Sequence, residues 1–143
     1  EALLFAAARA DHGARTIRPA LARGAWVLCD RFVDSSRAYQ GGGGGGSGAE
    51  LLDLHRIGSG GLLPDLTLLV EVSPTVAARR LALRDAGTAD RIGGRDDAYH
   101  ARVAAAFARI AQADPARFAR IAGDGDAGAV HALVLAALAE LDI

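Results

Sequence analysis

The sequence predicts an α/β fold in which a parallel β-sheet lies between two layers of helices. Three short apolar runs, at 25–29, 66–72 and 118–122, are predicted to be strands, and the run 66–72 has the composition of a strand buried on both faces of such a sheet. Stretches with apolar residues at three- and four-residue steps separate these runs, as expected for alternating strands and helices. A chain of 143 residues with 51% apolar content suffices for one core, so we expect one domain.

The helices are predicted from apolar spacing and from residues that begin or end a helix. The apolar stripe of the first helical stretch consists of Leu3, Leu4, Ala7, Ala10, Ala14, Ile17 and Leu21. Pro19 is expected to divide this stretch into two helices or to begin a second one, and Gly24 to end it. Ser73 is the expected N-cap of a helix whose first residue is Pro74. The remaining helices are predicted at 49–57, 74–86, 98–112 and 126–141.

Charge and composition exclude several classes of function. All 16 basic residues are arginines and the net charge is −1, so counterion release provides little drive for binding nucleic acid. No apolar run is long enough for a membrane span, so we expect a cytoplasmic protein without nucleic-acid or membrane partners. Cys29 is the only cysteine, and its apolar setting favours an inert buried thiol. The four histidines share no metal-ligand spacing, so we expect no structural metal.

A run of six glycines at 41–46, followed by Ser47 and Gly48, predicts a mobile loop over 41–48, because glycine loses the most backbone freedom when it is ordered. A phosphate-binding loop of the G-x-x-x-x-G-K-[ST] type needs a lysine, and the sequence contains none. A low-complexity linker is therefore the favoured interpretation. The sequence also lacks methionine and begins in helical phase, so we expect a fragment without its amino-terminal segment.

Asp30 and Arg31 follow directly on the apolar run 25–29. An acid and a base at the end of a parallel strand lie at the carboxyl edge of the sheet, where open α/β folds bind ligands. The alternative is a solvated strand end, which two charged residues alone would favour.

Several motifs in a fixed order make this sequence similar to a known family. They are Phe5-Ala6-Ala7-Ala8-Arg9, Asp30-Arg31-Phe32, Ser35-Ser36-Arg37-Ala38-Tyr39-Gln40, Pro64-Asp65-Leu66 and Asp90-Arg91-Ile92. Together they resemble thymidylate kinase (dTMP kinase) of the bacterial type, from Glu1 to about Val130. The resemblance implies a three-layer P-loop-NTPase-like fold, truncated at the N-terminus, and one incomplete nucleoside monophosphate kinase-like domain over 1–143. It also implies transfer of the γ-phosphoryl group of ATP to dTMP to give dTDP, with Mg²⁺, by a homodimer.

The resemblance assigns roles on the acceptor side. Arg31 would hold the phosphate of dTMP, and Asp30 would lie near the magnesium ion and the transferring phosphoryl group. Phe5 would stack on the thymine, and Arg9 would hydrogen-bond the ring carbonyl. The remaining acceptor-site residues are Ser36 beside the base, Tyr39 against the sugar where a 2′-hydroxyl would clash, and Gln40 as a polar neighbour.

The resemblance also assigns a lid and a donor site. The lid would span about 84–97, and Arg84, Arg91 and Arg95 are its candidates for stabilising the transferring phosphoryl group. Gly123 and Asp124 match the family's adenine-side loop in position. Because the phosphate-binding segment would precede Glu1, residues 1–143 alone are expected to be inactive.

Two alternatives remain open on sequence grounds. One is a related nucleoside or nucleotide kinase with another acceptor. The other is a non-catalytic nucleotide-binding or scaffold module, which the glycine run and the glycines at 93–94 in the expected lid keep open.

Overall fold

The computed structural model describes residues 1–44, 47–85 and 97–141. Its helices are α1 (Ala2–His12), α2 (Arg18–Ala22), α3 (Val33–Ser36), α4 (Gly48–Ser59), α5 (Pro74–Asp85), α6 (Asp97–Ala113) and α7 (Ala127–Ala139). π-Helical turns span Gly13–Ile17 and Arg37–Gly43, and a 3₁₀ turn spans Pro115–Arg117. The strands are β1 (Thr67–Glu71) and β2 (Phe118–Ala122). The described residues form two compact units, one from Glu1–Pro64 with Asp97–Gln112 and one from the rest of the chain.

Pro19 shapes the first helical stretch of the first unit. Proline has no amide hydrogen, so it cannot complete the regular ladder back to the carbonyl of Arg15. The amide of Arg18 instead reaches five residues back, to the carbonyl of Gly13, and this bond defines the π-turn between α1 and α2. The prediction that Pro19 divides the stretch is confirmed. Gly24, at φ 73°, follows the end of α2.

Helix α1 packs against α4 through small side chains. Ala6 and Ala10 lie beside Gly58, where an added Cβ would come within 3.5 Å of the Ala10 Cβ. This face shares Ala10 with the predicted stripe but leaves Leu3 and Leu4 69% and 76% exposed. Close packing of alanine on glycine lets the two backbones approach, which larger side chains would prevent.

The first three glycines of the glycine run are helical. Gly41, Gly42 and Gly43 belong to the π-turn Arg37–Gly43, so the prediction of a mobile loop is wrong for them. A Cβ on Gly42 would overlap the Cβ of Ala106 in α6, which leaves no room for a side chain. Residues 45–46 lie outside the described residues.

The predicted strand at 25–29 does not form. Residues 25–29 pair with no strand among the described residues, and Trp26 and Leu28 are 68% and 95% exposed. An apolar run becomes a strand only when a neighbouring strand completes its backbone hydrogen bonds. The two strands that are present in the described ranges pair with each other instead.

The second unit is a parallel β-pair with helices. β1 and β2 pair in parallel, with Thr67 opposite Phe118 and Glu71 opposite Ala122. Ser73 caps α5 by accepting a hydrogen bond from the amide of Val76 at 3.4 Å, as predicted. Both strands and the helices that follow them were predicted within one to two residues, which confirms the α/β class. No helix in the described ranges is long and apolar enough to cross a membrane.

Candidate functional site

Asp30 and Arg31 form the turn between the segment 25–29 and α3. Arg31 has a φ of 62°, and it is the only non-glycine residue with positive φ in the described ranges. The left-handed conformation costs a residue with a side chain about 1–2 kcal/mol. Strain of this kind persists where the surroundings hold it, and it concentrates at functional sites. The turn is therefore the strongest candidate site in the first unit.

Contacts on both sides hold the strained turn. On one side the Cys29 thiol donates to the Arg31 carbonyl at 3.6 Å. On the other, Phe32 packs edge-on against the ring of His55, with 5.4 Å between the ring centroids. The buried His55 in turn places its Nε2 at 2.6 Å from the Leu62 carbonyl, which can only accept, so Nε2 carries the hydrogen.

The guanidinium of Arg31 lies over the ring of Tyr39. Its Cζ atom is 5.1 Å from the ring centroid, a cation–π distance. The ring of Tyr39 also meets Phe107 of α6 edge-on, with centroids 6.0 Å apart, so it is fixed from a second direction. Arg31 nevertheless remains exposed. A guanidinium that is oriented by an aromatic face and open to solvent is suited to bind a phosphate through two parallel hydrogen bonds.

Phe5 and Arg9 lie together on α1, as their i, i+4 spacing predicts. The Cζ of Arg9 is 5.7 Å from the centroid of the Phe5 ring, which is 44% exposed. Burial lowers the pKa of Arg9, and the thiolate form of Cys29 opposes that shift. Burial likewise raises the pKa of Cys29, with Asp30 adding to the shift and Arg9 opposing it. The raised pKa of Cys29 agrees with an inert thiol.

Ser36 and an ion pair lie on the helical segment after the turn. Ser36 is 4% exposed, and its hydroxyl oxygen makes no hydrogen bond within the described residues. Nearby, Arg37 donates to the buried carboxylate of Asp34 at 3.0 Å. An unmade hydrogen bond at a buried hydroxyl costs about 1–3 kcal/mol, so Ser36 favours a polar ligand group beside it. The Asp34–Arg37 pair was missed, although its i, i+3 spacing was a usable signal.

Gln40 is directed towards the first residue of the chain. Its Nε2 donates to Oε1 of Glu1 at 3.2 Å. The structure thus brings Arg31, Tyr39, Phe5 and Arg9 into two contacting pairs, whereas the side-chain amide of Gln40 is engaged elsewhere.

In the second unit, Gly123 and Asp124 lie where β2 ends. The amide of Gly123 extends the strand pairing by donating to the Glu71 carbonyl at 2.7 Å. A Cβ at Gly123 would come within 2.9 Å of that same carbonyl oxygen, so only glycine fits. Oδ1 of Asp124 accepts from the amide of Ser73 at 2.7 Å. Arg80 of α5 donates to the carbonyls of this loop, a contact that the sequence analysis missed because its partners are more than 40 residues away.

Three arginines were predicted to belong to a lid. Of these, Arg91 and Arg95 lie outside the described residues, as does the side chain of Arg84.

The family model that describes thymidylate kinase matches residues 1–134. The chain belongs to the thymidylate kinase family. This membership confirms the resemblance seen in the sequence and the P-loop NTPase fold class that it implied.

Curated thymidylate kinases are similar over nearly the whole chain. The thymidylate kinase of Rhizorhabdus wittichii is 53% identical over 141 residues, which cover 99% of this chain and 68% of that protein. The thymidylate kinase of Nitrobacter winogradskyi is 46% identical, with coverage of 96% and 60%. That of Thermomicrobium roseum is 52% identical, with coverage of 82% and 56%. The chain thus spans between about half and two-thirds of the length of these relatives in the thymidylate kinase family.

Proposed function

We propose that the protein transfers the γ-phosphoryl group of ATP to dTMP, giving dTDP and ADP, and that this chain holds the dTMP site. The observation that carries the proposal is the strained Arg31, whose exposed guanidinium lies 5.1 Å from the centroid of the Tyr39 ring. A monophosphate bears about two negative charges near neutral pH, and a fixed guanidinium is the side chain best matched to it. Family membership supplies the reaction class.

The acceptor would bind through the two contacting pairs. Arg31 would hydrogen-bond the phosphate oxygens. Tyr39, whose ring lies beneath Arg31, would limit the space at the sugar and so disfavour a 2′-hydroxyl. Phe5 offers a half-exposed ring for stacking on thymine, and Arg9 offers donors for a ring carbonyl. The buried Ser36 hydroxyl is a further polar group for the base, and Gln40 is the least supported member because Glu1 engages its amide.

The proposed site for the phosphoryl donor, ATP, includes a metal ion. Asp30 is exposed, and no cluster of three metal-ligating side chains exists in the described ranges. Mg²⁺ commonly takes one or two carboxylates and completes its shell with phosphates and water, so one exposed carboxylate fits it. Asp30 would hold Mg²⁺, which when bound neutralises charge on the donor phosphates.

In phosphoryl transfer, the positioning of the reactants and the neutralisation of charge account for most of the rate enhancement. Asp30 and Arg31 belong to one turn, so the acceptor phosphate and the carboxylate have a fixed spacing. Arg84, Arg91 and Arg95 are proposed to bring positive charge to the equatorial oxygens of the transferring group. Gly123 and Asp124 are proposed to contact the adenine side of ATP.

Further parts of the proposal follow from the resemblance. These are a single kinase-like domain with a lid at about 84–97, a cytoplasmic location and a homodimer. Exposed Leu3 and Leu4 on α1 support the dimer, because two neighbouring exposed leucines are typical of a contact surface.

The test is a steady-state assay of ADP formation by the protein with its complete natural sequence. We expect dTMP to be the preferred acceptor over dUMP, dCMP and UMP. Arg31→Lys should raise the KM for dTMP by more than about tenfold, because lysine cannot make the bidentate contact. Arg15→Lys is the matched control, since Arg15 is an exposed arginine of the same unit that pairs with Asp11. A different preferred acceptor, or equal KM values in both variants, would contradict the proposal.

A further inference from the structure

One arginine side chain binds three consecutive backbone carbonyls in the second unit. The Arg80 guanidinium donates to the carbonyl oxygens of Gly123, Asp124 and Gly125 at 2.8, 3.3 and 2.8 Å. Arg80 lies in α5, more than 40 residues before this loop. The three bonds therefore join two elements that the chain itself does not hold together.

The loop bound by Arg80 lies at the carboxyl edge of the strand pair. β1 and β2 are parallel, and both the segment leading into α5 and the loop 123–125 begin where a strand ends. This edge is where open α/β folds bind ligands. The amide of Ser73 adds a fourth bond across the same edge, to the Asp124 carboxylate at 2.7 Å.

The loop needs such contacts to keep one conformation. Two of its three residues are glycines, which lose the most backbone freedom when they are ordered. The flat guanidinium offers five donors in a fixed fork, so one side chain can satisfy several carbonyls at once. A lysine offers a single point charge and cannot reproduce this pattern.

We propose that Arg80 is a positioning residue for the donor nucleotide, which it affects by fixing the backbone of the loop 123–125. The inference rests on the proposed function, in which this loop contacts the adenine side of ATP. Arg80 touches the loop and acts through it on the nucleotide. Loosening the loop should weaken ATP binding and leave the acceptor site of the other unit unaffected.

The experiment compares Arg80→Ala and Arg80→Lys with Arg79→Ala in the protein with its complete natural sequence. Arg79 is the adjacent exposed arginine of α5 and makes none of the three contacts. Arg79→Ala therefore removes the same charge as Arg80→Ala without removing these hydrogen bonds. We expect Arg80→Ala to raise the KM for ATP on the order of tenfold, as expected for losing hydrogen bonds from a charged group. The KM for dTMP and kcat should stay within about twofold. Arg80→Lys should behave like Arg80→Ala.

Equilibrium titration with a fluorescent ATP analogue provides a readout that is independent of phosphoryl transfer. A wild-type protein that binds ATP but does not phosphorylate dTMP would contradict the proposed function, whereas the ATP affinities of the variants would still test Arg80. The inference is overturned if both Arg80 variants match Arg79→Ala in ATP affinity, or if the KM values for both substrates rise together. If Arg80→Ala fails to fold, Arg80→Lys decides, and ATP affinity equal to wild type would overturn the inference.

Discussion

Arg31 lowers the stability of the fold through its backbone conformation, and its side chain is proposed to favour phosphate binding. Its φ of 62° suits glycine, yet glycine would lack the guanidinium that lies over Tyr39. The positive φ therefore lowers the stability of the fold, a cost that agrees with the phosphate-binding role proposed for Arg31. This trade-off is typical of backbone strain at functional sites.

The strain at Arg31 can be measured by comparing two variants that both lack the guanidinium. We expect Arg31→Gly to exceed Arg31→Ala in free energy of unfolding by about 1 kcal/mol, because only glycine adopts positive φ without strain. Denaturant unfolding measures the difference. Arg23, with a φ of −92°, is the control position, where the glycine variant should be less stable than the alanine variant. A glycine variant at position 31 that is no more stable than the alanine variant, with the expected order at position 23, would show that Arg31 is not strained.

At the scale of elements, the π-turn Arg37–Gly43 and α6 form a contact that depends on glycine. The side chains facing Gly43 are those of Tyr99 and Val103, and a Cβ there would lie 2.7 and 2.8 Å from them. Tyr39 projects from the same turn towards Phe107. The glycines thus set the distance between the turn and α6, and through it the position of the ring below Arg31.

Gly42 provides the sharpest test of this contact. Gly42→Ala should destabilise the fold by about 1–3 kcal/mol, because its Cβ would overlap that of Ala106 and force the helices apart. Removing the opposing methyl group in the double variant Gly42→Ala/Ala106→Gly should recover part of the loss, measured by thermal unfolding.

Gly48→Ala is the control, since a Cβ there meets nothing within 4 Å and alanine favours a helix. This variant should be neutral or more stable than wild type. Unchanged stability in Gly42→Ala would mean that the turn does not pack closely on α6.

At the scale of the whole molecule, the sequence predicted the features that depend on interactions between neighbouring residues. It missed those that depend on residues far apart in the chain. β1, β2 and the helices α4 to α7 follow from local signals, namely apolar periodicity, the Ser73 cap and proline at the first helical position. The prediction of a strand at 25–29 failed because a strand also needs a partner strand, which composition does not reveal. A family resemblance made Arg31 and Tyr39 candidate site residues, whereas the strain at Arg31 and the bonds of Arg80 depend on tertiary placement.

Arginines and carboxylates are interleaved along the chain. The 16 arginines are opposed by 17 acidic residues, and several pair with an acid one helical turn away, as Arg15 does with Asp11 and Arg56 with Asp53. Local pairing of this kind leaves little uncompensated positive potential for phosphate backbones. The arginine content therefore serves individual anion contacts better than a nucleic-acid surface.

This charge distribution predicts that the protein does not bind DNA. In fluorescence anisotropy with labelled duplex DNA at about 0.1 M salt, we expect a Kd weaker than about 100 µM, the weak end of non-specific binding. The double variant Asp11→Asn/Asp53→Asn removes two negative charges and changes the net charge from −1 to +1, so its DNA affinity should exceed that of wild type. Micromolar binding by the wild-type protein, falling steeply with salt, would mean that its arginines form a continuous basic surface despite their paired acids.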